Sequence, residues 1–241
     1  MKLALCLEYP IDQFGGTEVL VQELMKGLAG HHQIVLVSNE STESAKKSSV
    51  GHLITEHISW NPAVISDERS RELAEALKRS KVDLIHFHLG GNFAWNVRAF
   101  SKSPIVVVQR TGIPCLSTNH GAFKITDGYC GENRPLMKAA LFFPAWLSKQ
   151  YVLSKLLCEV TVSQHDYLAV RSWYPFMRNK FRQIYHSRIH ESSSAPVKTQ
   201  RRKAILCVGT VGARKGQWIL AVAFARLAPK FPDWQLVLIG R

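Results

Sequence analysis

The chain has 241 residues, of which 46% are hydrophobic and 20% charged, the composition of an ordinary folded soluble protein. Lys and Arg number 31 and Asp and Glu 18, so the formal net charge is +13, which fits an anionic partner (nucleic acid, lipid headgroups or a phosphorylated ligand) without choosing among them. The five cysteines, at 6, 115, 130, 158 and 207, are single and odd in number, which argues against a disulfide scaffold and fits a reducing cytosol, and the opening run Leu3–Leu7 is too short for a signal peptide or a membrane span.

In chain order, Leu3–Leu7 reads as a first buried strand. Glu8 to Thr17 is a loop ending in Gly15-Gly16, with Thr17 placed to cap a helix carrying Val19, Leu20, Leu24 and Leu28. A glycine pair before a helix start lets backbone approach an anionic ligand, or simply makes a tight turn. Gln33–Ser38 is a second strand, 39–49 a Ser- and Lys-rich loop, and 50–58 a mixed stretch that can form a strand. A helix with Leu73, Ala76 and Leu77 on one face falls within 62–80.

Val82–His88 is a strand ending in alternating histidines, followed by Gly90-Gly91. In a parallel sheet ligands collect beyond the carboxyl ends of strands, so His86 and His88 line the expected crevice and point the same way. As a metal pair they lack a third ligand, and no metal centre is expected; as structural residues they would be hydrogen-bonded. A short helix over 92–101 leads to Pro104–Gln109, the most continuously apolar and β-branched run in the chain, which predicts a buried strand. Arg110 to Pro135 is then a long irregular passage containing His120-Gly121.

Leu136 to Leu157 reads as one long helix or two short ones, with Pro144 as a kink or a start. Its aromatics interleave with Lys138, Lys149 and Lys155, which suits either a surface that touches lipid or a helix packed on a sheet. Glu159–Ser163 is a strand, Ser163 an N-cap for the helix that follows, and Phe181–Tyr185 the last strand of the first domain. The Ser-rich stretch from Glu191 to Gln200 is a linker. Beyond it come a strand ending at Val208, a loop with Gly209, Gly212, Arg214, Lys215 and Gly216, a helix from Trp218 to Leu227, and a strand ending at Ile239. Two cations and permissive glycines at a helix start suit a diphosphate, or are solvated loop charges. Neither the phosphate loop of nucleotide hydrolases nor the dinucleotide fingerprint is present.

This ordered set resembles the retaining glycosyltransferases of family 4, which have the GT-B architecture of two Rossmann-like domains. The resemblance is carried by Gly15-Gly16-Thr17-Glu18, Val82-Asp83-Leu84-Ile85-His86, Val160-Thr161-Val162-Ser163, Val208-Gly209, Arg214-Lys215-Gly216 and Leu238-Ile239-Gly240. It implies an α/β fold: a Rossmann-like parallel sheet with helices on both faces, followed by an incomplete second Rossmann-like domain. The domains expected are 1–186, binding the acceptor; 187–202, a basic, Ser-rich linker; and 203–241, the start of a nucleotide-sugar-binding domain. Gly15, Gly16, Arg214 and Lys215 would then meet the donor phosphates. A nucleotide-sugar would be the co-substrate, with no cofactor, and a glycan or a lipid-linked molecule the acceptor.

The sequence departs from the pattern at three places. The family's usual histidine falls on Thr111 when the strand is placed at 105–109, with His120 as the alternative, so both are catalytic candidates. Thr210 stands where an arginine is usual. The paired glutamates of the donor site would lie beyond Arg241, from which little activity is expected of these residues alone, together with an uncovered apolar face that favours self-association. A cytoplasmic protein, peripheral on the inner face of the membrane, follows. The rival is a basic module binding an anionic membrane or nucleic acid without catalysis, although no nucleic-acid-binding signature is present and nucleic acid is not the expected partner.

Overall fold

The computed structural model describes residues 1–13, 15–61, 66–88, 108–121, 135–186, 202–209, 211–212 and 215–240, apart from four side chains at the start of the long helix, those of 135, 137, 138 and 141. The chain divides into two compact units, Met1–Ile189 and His190–Arg241. The expected helix over 92–101, the first four residues of the strand expected at Pro104–Gln109 and the linker from Glu191 to Gln200 lie outside the described residues.

The first unit is built on β1 (Lys2–Leu7), β2 (Gln33–Ser38), β3 (Ile54–Ser59), β4 (Leu84–His88), β5 (Cys115–Asn119), β6 (Glu159–Thr161) and β7 (Phe181–Gln183). They form one sheet in the order β3-β2-β1-β4-β5-β6-β7, with every pairing parallel. The chain runs outward from β1 in one direction and then, through β4, in the other. Right-handed crossovers therefore place the helices of the outward run and those of the return on opposite faces. Helices α1 (Gly16–Leu28) and α2 (Thr42–Lys47) cover one face: Val21, Met25 and Ala45 pack on Leu3, Leu5, Leu7, Ile34 and Leu36. Helices α3 (Asp67–Arg79), α4 (Pro135–Lys155) and α5 (Gln164–Trp173) cover the other, where Leu73, Leu77, Val152, Leu153 and Val170 pack on Cys6, Val37, Ile85 and Phe87. The expected Rossmann-like parallel sheet with helices on both faces is thus observed. Strands buried on both sides must be continuously apolar, as β1 and β2 are.

Local expectations fared unequally. Ser163 caps α5 as expected, accepting from the Asp166 amide at 3.0 Å. Thr17 does not cap α1; Gly15 occupies that position and Thr17 lies within the helix. The expected loop at 39–49 contains α2, because Ser41 accepts from the Ser44 amide at 3.1 Å and supplies a cap. Helix α4 runs through Pro144 as one element of 21 residues. The carbonyl that Pro144 deprives of a donor belongs to Ala140, on the exposed side of the helix, where it faces solvent.

The main correction concerns the strand beside β4. Val108 and Gln109 are in a helical turn, and the neighbour of β4 is Cys115–Asn119, from the passage expected to be irregular. In the second unit, β8 (Ala204–Val208) and β9 (Gln235–Ile239) pair in parallel, joined by α6 (Gln217–Leu227).

Candidate active site

The reversal of direction between β1 and β4 opens a crevice beyond the carboxyl ends of those strands. Four histidines gather there, on the α1 side of the sheet. His86 and His88 share one face of β4, with ring centroids 3.8 Å apart. His120 follows directly on β5, 5.6 Å from His88, and His186, just past β7, is 5.7 Å from His120. Parallel register makes this possible: Ile85 pairs with Cys115 and Phe87 with Ser117, so the ends of β4 and β5 arrive together.

The cluster is held neutral. Burial lowers the His86 pKa to about 3, with repulsion from His120 adding to it. Burial likewise takes His120 to about 4, with His186 contributing, and pushes His88 well below its ordinary range. Imidazoles this close, out of water, repel as cations, so they remain uncharged. His86 Nε2 and Thr118 Oγ1 share a hydrogen bond of 2.7 Å, which anchors the first ring. The ring nitrogens of His88 and His120 are buried and have no partner among the described residues. A cavity of about 310 Å³ is lined by His86, His88 and His186 of this group, with walls from Leu20, Leu24, Val160 and Ile184 and with Glu23 on α1; His120 stands outside that lining. Among the described residues no group of His, Cys, Asp or Glu side chains is arranged to hold a metal ion.

Thr111 is not in this company. It sits in the turn before β5, at the amino end of that strand, where its hydroxyl accepts from the Ile113 amide at 3.2 Å. The misplacement follows from the strand assignment: with β5 at Cys115–Asn119, the position just after the strand belongs to His120-Gly121. The Gly121 amide donates to Asn119 Oδ1 at 3.1 Å, so a local turn fixes the pair.

Gly15 and Gly16 behave differently from each other. A Cβ on Gly15 would stand 1.9 Å from Glu18 Oε2, whereas one on Gly16 would meet nothing within 4 Å. Glu18 is buried against the loop, and burial raises its pKa. Its carboxyl thus lies at the start of α1, where the glycine pair was expected to receive phosphate. The acid was visible in Gly15-Gly16-Thr17-Glu18, but its burial was not.

In the second unit, Lys215 is exposed just before α6, and its amide donates to the Gly212 carbonyl at 3.0 Å. Arg214, like Thr210, lies outside the described residues. Gly216 caps α6 in the left-handed conformation, with φ at 70°, which a glycine adopts without strain. Gln217 ties the loop together: its Nε2 donates to the Gly209 carbonyl at 3.3 Å and its Oε1 accepts from the Gly212 amide at 3.2 Å. Nothing in the sequence pattern marked Gln217, because a helix-start glutamine is common.

A buried ion pair was also missed. Lys149 on α4 meets Glu159 on β6, and Ser117 on β5 donates to the same carboxylate at 3.2 Å. Lys149 therefore belongs to the interior, as the reading of that helix as packed on the sheet requires, and not to a lysine-bearing surface.

The sequence profile of Glycosyltransferase Family 4 matches residues 14–188. No curated protein matches the chain. Among solved structures, the chain is similar to Anabaena Alr3699/HepE, solved in complex with UDP-glucose, with a TM-score of 0.62 at 11% identity over 99% of this chain and 60% of that one. It is also similar to a glycosyltransferase from Rickettsia africae, with a TM-score of 0.57 at 14% identity over 99% of this chain and 68% of that one. A third is the lipopolysaccharide outer core galactosyltransferase WaaB, with a TM-score of 0.54 at 13% identity over 99% and 60%. At such identities the likeness is one of fold, that of the GT-B proteins. The chain spans about 60% of the length of the Anabaena structure.

Proposed function

The chain belongs to glycosyltransferase family 4, and from that premise we propose that its protein transfers a sugar from a nucleotide-sugar to a glycan or lipid-linked acceptor, with retention of anomeric configuration, at the inner face of a membrane. In that transfer the bond from the anomeric carbon to the diphosphate breaks. The acceptor oxygen takes its place on the same face of the sugar and passes its proton to the departing diphosphate oxygen. The observation that carries the reading is the position of His120-Gly121, directly after the strand beside β4, with His86 and His88 next to it.

His120 is assigned to the reacting sugar. A neutral imidazole with buried, unpartnered nitrogens can accept a hydrogen bond from one sugar hydroxyl or donate to another. His88 supports it from the floor of the crevice. Lys215, with Arg214, is assigned to the leaving diphosphate, whose developing charge a nearby cation stabilises. Gly16, with space around it, is the point of closest backbone approach to the donor, and Gly15 is required by the packing of Glu18.

Calorimetric titration with UDP, GDP and their sugars tests the donor half. Lys215→Ala should weaken nucleoside diphosphate binding about tenfold, the loss of one charge-assisted contact. His120→Ala should leave that binding intact and remove transfer of radiolabelled sugar to a membrane-lipid or glycan extract. Binding of no nucleoside diphosphate, or equal transfer by His120→Ala, would defeat the proposal.

A further inference from the structure

We infer that the exposed face of α4, continued by the short helix Pro175–Lys180, is a docking surface for an anionic lipid bilayer. The inference rests on the reading of a membrane-side acceptor and names the surface that would serve it.

Helix α4 buries Ala145, Lys149, Val152 and Leu153 against the sheet. Leu136, Phe143, Leu147 and Tyr151 recur at the spacing of a single helical face and are all exposed, Leu136 to 86% and Phe143 to 61%. The 15 steps from Leu136 to Tyr151 extend along roughly 22 Å of helix at 1.5 Å per residue. Such a stripe is the reverse of what a solvated helix shows: the outer face is apolar while Lys149 is inside.

The stripe continues onto a neighbouring element. Phe143 stacks on Trp146 with centroids 6.1 Å apart, and the Trp146 indole N–H donates to the Trp173 carbonyl at 2.7 Å. That contact joins α4 to the end of α5, where the chain turns into Pro175–Lys180 and leaves Phe176 exposed to 77%. Lys155 on α4, Arg178 on that short helix and Arg182 on the strand that follows it are exposed. From 135 to 186 the only acids are Glu159, buried against Lys149, and Asp166 at the start of α5. No described helix is long and apolar enough to cross a membrane.

Large apolar and aromatic side chains flanked by cations, on a rigid helix that does not cross the bilayer, are what an interfacial helix requires. The charge pattern selects the occupant. Copies of a chain with net charge +13 repel each other through an acid-free patch, whereas an anionic leaflet attracts it.

The test is co-sedimentation of the 241-residue chain with vesicles of phosphatidylcholine alone or with added phosphatidylglycerol. The chain should sediment with the anionic vesicles and much less with the neutral ones. Phe143→Ser with Leu147→Ser should weaken this at least about tenfold, and Lys155→Glu with Arg178→Glu by a similar factor. All four positions are exposed, and circular dichroism checks that the fold survives. Equal sedimentation of the double variants and the parent, or no preference for the anionic vesicles, overturns the inference. So does a concentration-dependent dimer in light scattering that the serine variant abolishes, since the face would then serve a second copy. Nucleoside diphosphate binding by the same variants should be unchanged. Its absence in every variant and in the parent, with vesicle binding intact, would refute the transferase reading alone.

Discussion

The β1–α1–β2 segment and the β8–α6–β9 segment are the same motif in two surroundings. Both pair their strands in parallel and cross over through one helix. Both strands are apolar runs, Leu3-Ala4-Leu5-Cys6-Leu7 and Ala204-Ile205-Leu206-Cys207-Val208. Yet Leu5 is 1% exposed and Leu206 is 60% exposed. In the first unit five further strands and helices on both faces complete the layers; in the second, the described residues leave Trp218, Ile219, Leu238 and Ile239 open to solvent. Hydropathy fixes what a strand needs, and the number of packed layers decides whether it obtains it.

The largest expected difference lies between the two units' ion pairs. Lys149–Glu159 is buried, while Lys203–Asp233 at 3.2 Å is largely exposed. Lys149→Met should cost about 3–5 kcal/mol, because it strands a buried carboxylate whose Oε1 already has no hydrogen-bond partner among the described residues. Lys203→Met should change stability by about 0.5 kcal/mol or less. Urea unfolding followed by circular dichroism measures both, and a double variant, Lys149→Met with Glu159→Leu, should recover most of the loss. Equal sensitivity at the two pairs would erase the distinction between the units.

A second comparison truncates equivalent central residues. Leu5→Ala empties a packed site and should cost about 2–5 kcal/mol. Leu206→Ala removes side chain already in water and should cost about 0.5 kcal/mol or less. A large effect at Leu206 would mean that its face is covered in solution, and the comparison would need redrawing.

How far the sequence could be read follows the same line. The strands β1, β2 and β4 were legible because burial on both sides forces an unbroken apolar run. Ser163 was legible because a cap is a local device. The strand β5 was not. Its side chains Ser117 and Thr118 look like loop residues, and they are tolerated in the sheet only because Glu159 and His86 bond to them. Those partners are 42 and 32 residues away, so no periodicity within a window could reveal them. The β-branched run at 105–108 answered every local rule for a strand, and Val108, its described member, instead sits in a helical turn. The error passed directly into the site, since the histidine position depends on where the strand ends. The clustering of His86, His88, His120 and His186 was half legible: alternation placed the first two, and only the register of β4, β5 and β7 brought the others.

Removing one member of that cluster gives the smallest of the expected differences, and the cluster separates the units by pH. The described residues of the second unit contain no histidine. In the first, His86 and His120 take up protons only near pH 3 and 4 while folded, against an ordinary 6.5. Between those values the unfolded chain binds protons that the folded one refuses, so stability falls as pH drops from 6.5 and is unaffected above it. The slope is on the order of 1 kcal/mol per pH unit for each fully buried histidine. Glu56, held below its ordinary 4.5 mainly by a hydrogen bond from Lys2 and then by Ser80, adds a loss only below pH 4.5. Glu18, raised by burial, acts in the opposite sense, gaining a proton in the folded state first. The window from 6.5 to about 5 therefore belongs mainly to the histidines. Replacing His88 with Gln should make urea midpoints fall less steeply across that window, His86 and His120 keeping their share of the slope, and leave those above pH 7 parallel to the parent. An unchanged slope would mean that the rings are hydrated and charged near neutrality, and the uncharged crevice on which the assignment of His120 depends would be lost.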